Sequence, residues 1–111
     1  MTPSLDDTLI ALADPTRRAI LARLAQGELR VTDLASPFAI SLNSVSKHIR
    51  MLERADLVRR RRAGREHLMR FNPQALDAAQ AWIETQKAAW AGALNALDDL
   101  LKAEDIEGSP P

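Results

Sequence analysis

One segment of this chain, residues 57–71, alternates with period two, and it lies between stretches whose apolar residues recur with the period of a helix. Ala63 and Gly64 divide the segment into two extended runs, and glycine supplies the positive φ that a tight hairpin needs. The sequence therefore predicts a mostly α fold with one small β-hairpin.

The first two helices are predicted from their start and stop signals. Ser4 is a plausible N-cap for the first helix. Asp14 caps the second, Pro15 occupies its first position and Gly27 follows its last turn. The remaining predicted elements are a short edge strand at 28–31, a small helix capped by Thr32 and ending near Ser36, a helix from Ser41 to about Arg54, and a last helix that Asn72 caps, with Pro73 first, running to about Ala103.

The helix from Ser41 to Arg54 is expected to present a polar face to a partner. Val45, Ile49 and Leu52 form its narrow apolar stripe and should face the core. The opposite face then begins with small polar residues and ends basic, which suits a helix laid into the major groove of DNA with its N-terminus first. The expected DNA-binding residues of this helix are Ser41, Asn43, Ser44, Ser46, Lys47, His48, Arg50 and Arg54.

The charge distribution supports a polyanion partner on one face. Residues 46–70 carry nine Lys and Arg against three Asp and Glu, although the whole chain has a formal net charge of zero. Arg59 and Arg61 should face one side of the hairpin and Arg60 and Arg62 the other, so that at least one pair reaches solvent. We expect Arg60, Arg62 and Arg65 to contact DNA, because arginine suits phosphates and narrow minor grooves.

Taken together, "LADPTRRAILARL", "VTDLA", "SLNSVSKHIRMLERADLV" and "RRRRAGREHLMRF" resemble the ArsR family of winged helix-turn-helix bacterial transcription regulators. The resemblance runs from about residue 5 to the end of the last helix. It implies a homodimer, built from the first and last helices, that binds an inverted-repeat operator and usually represses. It also implies that Ser41–Arg54 is the recognition helix and that residues 57–71 form the wing.

The sequence departs from the metal-sensing members of that family. Arg30 and Thr32 stand where those relatives place two thiols, and Asp77 is the one retained ligand position of the last-helix site. The chain has no cysteine and two histidines. We therefore expect no metal and no cofactor, and an effector that the sequence does not identify. Asp56 stands where relatives often have glycine, which aspartate tolerates because it visits left-handed geometry.

The last helix carries apolar heptad rows that would be exposed to water unless a second subunit covers them. Trp82 and Trp90 fit interface packing better than a ligand pocket, because tryptophan is enriched at interfaces. The residues expected at the dimer interface are Leu5, Leu9, Leu12, Leu76, Ile83, Trp90, Leu94 and Leu97.

Two other functions share this fold. One is a protein-interaction module that does not bind DNA, and the other is a metal-responsive repressor. An enzyme is not expected, because Ser44 or Ser46 with His48 is the only nucleophile–base pair and lies on a single outer helix.

The length of 111 residues favours one domain, and no internal repeat or linker is visible in the sequence. Residues 1–104 are expected to form the DNA-binding and dimerisation domain, and residues 105–111 a flexible tail. No signal peptide or membrane span is visible, so we expect a cytoplasmic protein.

Overall fold

A computed structural model of the protein describes residues 4–108, with side chains for residues 4–104. Backbone contacts divide the chain into two units, the first ending at Ala79 and the second beginning at Gln80. The elements in chain order are α1 (Leu5–Leu12), α2 (Pro15–Leu24), β1 (Leu29–Arg30), α3 (Val31–Ala35), α4 (Leu42–Arg54), β2 (Val58–Ala63), β3 (Glu66–Phe71), a 3₁₀ helix (Pro73–Leu76) and α5 (Asp77–Gly108).

The first two helices begin where the capping signals predict. The Ser4 hydroxyl accepts a hydrogen bond from the amide of Asp7, and the Asp7 carboxylate accepts one from the amide of Ser4, which completes a capping box. The Asp14 carboxylate accepts from the amide of Arg17, and Pro15 opens α2. Both predicted helix starts are confirmed.

Two predicted caps are wrong. Thr32 lies inside α3, whose N-cap position is held by Arg30 without a side-chain cap, because the chain passes directly from β1 into this short helix. Asn72 precedes a 3₁₀ turn rather than α5, and its side-chain amide donates to the carbonyl oxygen of Asp56 at 2.9 Å instead of capping. The last helix extends to Gly108, five residues past the predicted end.

The three strands form an antiparallel sheet in the order β1-β3-β2. Leu29 pairs with Met69, which makes the short β1 an edge strand as predicted. The β2–β3 ladder closes at Ala63 opposite Glu66, so the two turn residues are Gly64 and Arg65 rather than Ala63 and Gly64. Gly64 has φ +65°, the positive value expected of it.

The core of the first unit is formed by α1–α4 and the base of the hairpin. The predicted stripe on α4 is fully buried. Beyond Val58, both faces of β2 extend past the core, and all four arginines of β2 are exposed. The largest fully buried side chains are Ile20, Leu34, Val45, Ile49, Leu52, Leu57, Val58 and Met69.

The residues predicted at a dimer interface divide into two groups. Leu12 and Leu76 are partly buried and pack against the core of the first unit, and Leu5 is half-buried. The others are exposed: Leu9 on α1, and Ile83, Trp90, Leu94 and Leu97 on α5. None of the helices in the described part of the chain combines the length and the apolar composition needed to cross a bilayer.

The turn after α4 generates a stability prediction. Asp56 has φ +57°, and its carboxylate accepts hydrogen bonds from Arg59 and from the side-chain amide of Asn72. Asp56→Ala should lower the free energy of unfolding by about 1–2 kcal/mol from the left-handed backbone alone. Asp56→Asn should lower it less, because asparagine tolerates this geometry and keeps a side-chain oxygen. Urea unfolding at pH 7 measures both, and an Asp56→Ala protein as stable as the wild type would contradict the prediction.

Candidate nucleic-acid interface

Helix α4 exposes the face that the sequence assigns to DNA. Because Val45, Ile49 and Leu52 are fully buried on one side, the rotation of the helix about its axis is fixed. Ser44 and Ser46, at the margins of the outer face, are half-buried. The residues exposed on the outer face are Asn43, Lys47, Arg50 and Arg54.

The tip of α4 is built by hydrogen bonds between small side chains. Ser41 caps the helix, and its hydroxyl accepts from the amide of Ser44 at 3.1 Å. The two serine hydroxyls are also 3.0 Å apart. Leu42, at the first helical position, is half exposed, and the sequence analysis missed it. A leucine there can offer a thymine methyl group an apolar contact.

Three of the four arginines of β2 are engaged by carboxylates of the same unit. Arg59 pairs with Asp56 in the turn before β2. Arg60 pairs with Glu53 of α4, and Arg61 pairs with Glu28 before β1. Hydrogen bonds to these carboxylates raise the pKa of each guanidinium. The structure therefore places Arg60, a predicted DNA contact, in an ion pair with the recognition helix.

The tip of the wing carries the remaining predicted contacts. The Nε of Arg62 donates to the carbonyl oxygen of Gly64 at 3.2 Å, which leaves its charge without a carboxylate partner among the described residues. Arg65, in the turn, is exposed and has no ion pair within the described part of the chain. At the tip of the wing, these two cations are available without first breaking an ion pair.

A cavity of about 400 Å³ lies between the start of α4 and the wing. Leu42 and Ser46 line it from α4, and Arg60, Arg65 and His67 line it from the wing. The fold thus brings together three predicted DNA-binding residues from different elements. Leu42 and His67 join them without having been predicted to contact DNA.

His48 differs from the other predicted contacts because one of its ring nitrogens meets a buried side chain of the same unit. Its side chain is 24% exposed, and its Nδ1 lies 3.3 Å from Nη1 of Arg17. Arg17 is buried, with 9% of its surface exposed, although the sequence left open whether it was solvated or near phosphate. The pairing joins residues 31 positions apart, a separation for which the sequence contains no signal.

Within the described residues, no group of three or more His, Cys, Asp or Glu side chains is placed to hold a metal ion. Asp77, the retained ligand position, is exposed at the start of α5. Neither histidine belongs to such a group.

Comparison with known proteins relates the chain to transcription regulators. A helix-turn-helix domain family matches residues 12–61. The HTH-type transcriptional regulator Rv2034 of Mycobacterium tuberculosis is 38% identical over 94 residues, which cover 85% of each chain. The transcriptional repressor SdpR of Bacillus subtilis is 32% identical over 79 residues, 71% of this chain and 88% of the repressor. A crystal structure of the ArsR family transcriptional regulator RHA00566 shares 39% identity and superposes with a TM-score of 0.74, covering 78% of this chain and 96% of that one.

The ion pairs around the interface generate a pH prediction. The amide of Arg17 lowers the pKa of Asp14 below its ordinary 3.8, and the side chains of Arg61 and Arg59 lower those of Glu28 and Asp56. A carboxyl group whose pKa is lower in the folded state stabilises the folded protein at any pH above its ordinary pKa. This contribution is lost as the pH falls through the pKa of the folded state. The free energy of unfolding should therefore decline as the pH falls below about 4.5.

Urea unfolding between about pH 6 and pH 3 measures this decline. Glu28→Gln should make it shallower, because one of the three carboxylates no longer takes up a proton. A wild-type stability that stays level down to pH 3 would contradict the assignment.

Proposed function

Because the chain belongs to the ArsR family of transcriptional regulators, we propose that it acts as a homodimeric repressor that binds an inverted-repeat operator through α4 and the wing. The protein is a DNA-binding transcriptional regulator. The proposal adds which residues contact DNA, the twofold symmetry of the protein and its operator, and the way in which the protein recognises the DNA sequence. Its place of action is then the cytoplasm, where bacterial DNA lies.

The observation that carries the proposal is the exposed outer face of α4. The face presents an amide, an ammonium and two guanidinium groups in a row, and the buried stripe holds that row at a fixed rotation. Asn43 and Lys47, in the first half of the helix, are placed to reach base edges in a major groove. Arg50 and Arg54, further along, are placed for phosphates.

The wing is proposed to contribute chiefly through its tip. Arg62 and Arg65 have no carboxylate partner within the described residues, so they can neutralise phosphates without giving up an ion pair. Arg60, in contrast, must leave Glu53 or share it. Ser41, Ser44, Ser46 and His48 complete the proposed set at the tip and margins of α4.

A second copy of the chain is proposed to cover the apolar side of α5. This helix has 32 residues and is about 48 Å long at 1.5 Å per residue. Leu94 and Leu97 are more than half exposed, and Trp90 is 68% exposed. A helix with this much uncovered apolar surface marks an association site. Leu9 of α1 is exposed as well, which supports the inclusion of α1 in the interface.

The proposed division of roles can be tested with DNA. The probe is a duplex that the wild-type protein selects from a random library. Lys47→Ala should weaken binding to this duplex by about 1–3 kcal/mol and relax its sequence preference, because it removes a base contact. Arg62→Ala combined with Arg65→Ala should weaken the selected and random duplexes almost equally. The double variant should also reduce the log–log salt slope of the dimer, which we expect at about −5 to −9.

Arg61→Ala is the matched control, because it removes the same charge from the same strand at a residue already paired with Glu28. It should change the salt slope less than the double variant. If the double variant binds the selected duplex more weakly but binds random duplexes as the wild type does, the wing recognises the DNA sequence. That result would contradict the assigned roles. A wild-type protein that selects no duplex would remove the proposed function itself.

The dimer is tested by light scattering at micromolar concentration. The wild type should show twice the 12.3 kDa mass of one chain. Leu97→Glu should shift it toward the monomer, because it introduces a charge on the apolar side of α5. Thr85→Glu, on the opposite side of the same helix by its spacing, should not. A wild-type monomer under these conditions would contradict the proposed assembly.

A further inference from the structure

Arg17 is held in one position by the last turn of α1. Its Nε donates to the carbonyl oxygen of Ala11 at 2.8 Å, and its Nη2 donates to that of Ile10 at 2.9 Å. Its own amide donates to the carboxylate of Asp14. A guanidinium has donors in a rigid planar fork, so these bonds also fix the direction of the third nitrogen, Nη1.

That third nitrogen points at the recognition helix. Nη1 lies 3.3 Å from Nδ1 of His48. Arginine has no acceptor, so Nδ1 must be the acceptor of this hydrogen bond and cannot carry a proton. The Asp14 carboxylate is 3.8 Å from the same nitrogen, which is too long for a hydrogen bond. Arg17 is therefore the partner that fixes the His48 ring.

The other ring nitrogen of His48 is available to a partner outside the chain. A neutral imidazole has one N–H, and with Nδ1 accepting, that group is Nε2–H. The hydrogen bonds of the described residues include none from Nε2. In the same part of the chain, Nε of Arg23 is the one buried side-chain nitrogen or oxygen without a partner. Nε2 of His48 makes no hydrogen bond among the described residues and is not fully buried, on a side chain that is 24% exposed.

We propose that Arg17 is a positioning residue for DNA binding. It holds the ring of His48 so that the neutral Nε2–H donates to a phosphate oxygen of the operator. His48 directly follows the exposed Lys47 and lies at the margin of the outer face, where a helix in the major groove meets the DNA backbone rather than base edges. This inference rests on the proposed function. It adds an uncharged hydrogen bond from His48 to the DNA backbone and a buried residue, Arg17, that orients the His48 ring.

The first test examines the contact without DNA, by ¹⁵N NMR of the two histidines in the full-length protein at pH 8. His67→Gln assigns the signals. His48 should show an unprotonated Nδ1 and a protonated Nε2, with a narrow Nδ1 signal shifted by the hydrogen bond. Arg17→Met should remove that shift. A His48 ring protonated at Nδ1 in the wild type would overturn the inference.

The second test compares two amides at position 48 on the duplex selected by the wild type. The side-chain nitrogen of glutamine can occupy the place of Nε2, whereas asparagine is too short to reach it. His48→Gln should bind within about threefold of the wild type, and His48→Asn should bind about tenfold or more weakly, because one hydrogen bond to a charged phosphate is lost. The salt slope of His48→Asn should match the wild type, since a neutral donor releases no counterion.

A double-mutant cycle separates positioning from mere stability. Arg17→Met should weaken binding in the wild-type background and should cost little further affinity in the His48→Asn background. Equal losses in both backgrounds would assign Arg17 a purely structural role and overturn its positioning role. If the wild type selects and binds a duplex but His48→Asn binds it equally well, this inference fails and the proposed function stands. If the wild type selects no duplex, both fail.

Discussion

The burial of one apolar stripe on α4 is the constraint on which the interface depends. Val45, Ile49 and Leu52 are fully buried, and side chains of this size contribute about 1.5–3 kcal/mol each when removed from water. Rotating the helix about its axis would expose them, so the outward direction of Asn43 and Lys47 follows from the packing behind them. The polar face of α4 therefore needs no specific interaction of its own to point toward solvent.

Electrostatics then restricts which of the outward charges are available. Glu28 and Glu53 each engage a wing arginine, although the bare sequence presents four consecutive arginines as equivalent. Exposed pairs of this kind contribute little to stability. They connect β2 to α4 through Glu53 and to the segment before β1 through Glu28. Among the described residues, the cations on the outer face of α4 and the arginines at the tip of the wing keep no carboxylate partner.

The parts of the fold that could be predicted are those that depend on local signals. The Ser4 and Asp14 caps and the stripe on α4 each follow from a few neighbouring residues, whereas the left-handed Asp56 follows from the family resemblance, in which relatives often have glycine at that position. The failures arise from contacts and connections that the neighbouring residues do not show. Thr32 resembles a cap, but the chain enters α3 directly from β1. Asn72 resembles a cap as well, but its amide donates to the Asp56 carbonyl, sixteen residues away.

The sequence predicts which residues of the candidate site lie on the surface of α4. It does not predict the hydrogen bonds and ion pairs among the residues of the site. Helical periodicity identifies which residues of α4 point outward, because that depends on spacing alone. It cannot identify Glu28 as the partner of Arg61, which is 33 residues away, or Arg17 as the partner of His48. Such pairs form only when the fold brings distant segments together, and several arginines compete equally well for each acid in the sequence.

Arg17 connects α1 and α4, two helices to which the proposed function gives different roles. Its guanidinium donates to carbonyls at the end of α1, its amide is capped by Asp14 at the start of α2, and its remaining nitrogen meets His48 on α4. In the proposed dimer, α1 belongs to the interface between copies and α4 belongs to the interface with DNA. A buried donor that lost an acceptor on either side would be left unsatisfied at a cost of about 1–3 kcal/mol. The geometry of α4, the proposed recognition helix, is therefore coupled through the Arg17 side chain to that of α1, which is proposed to face the second copy.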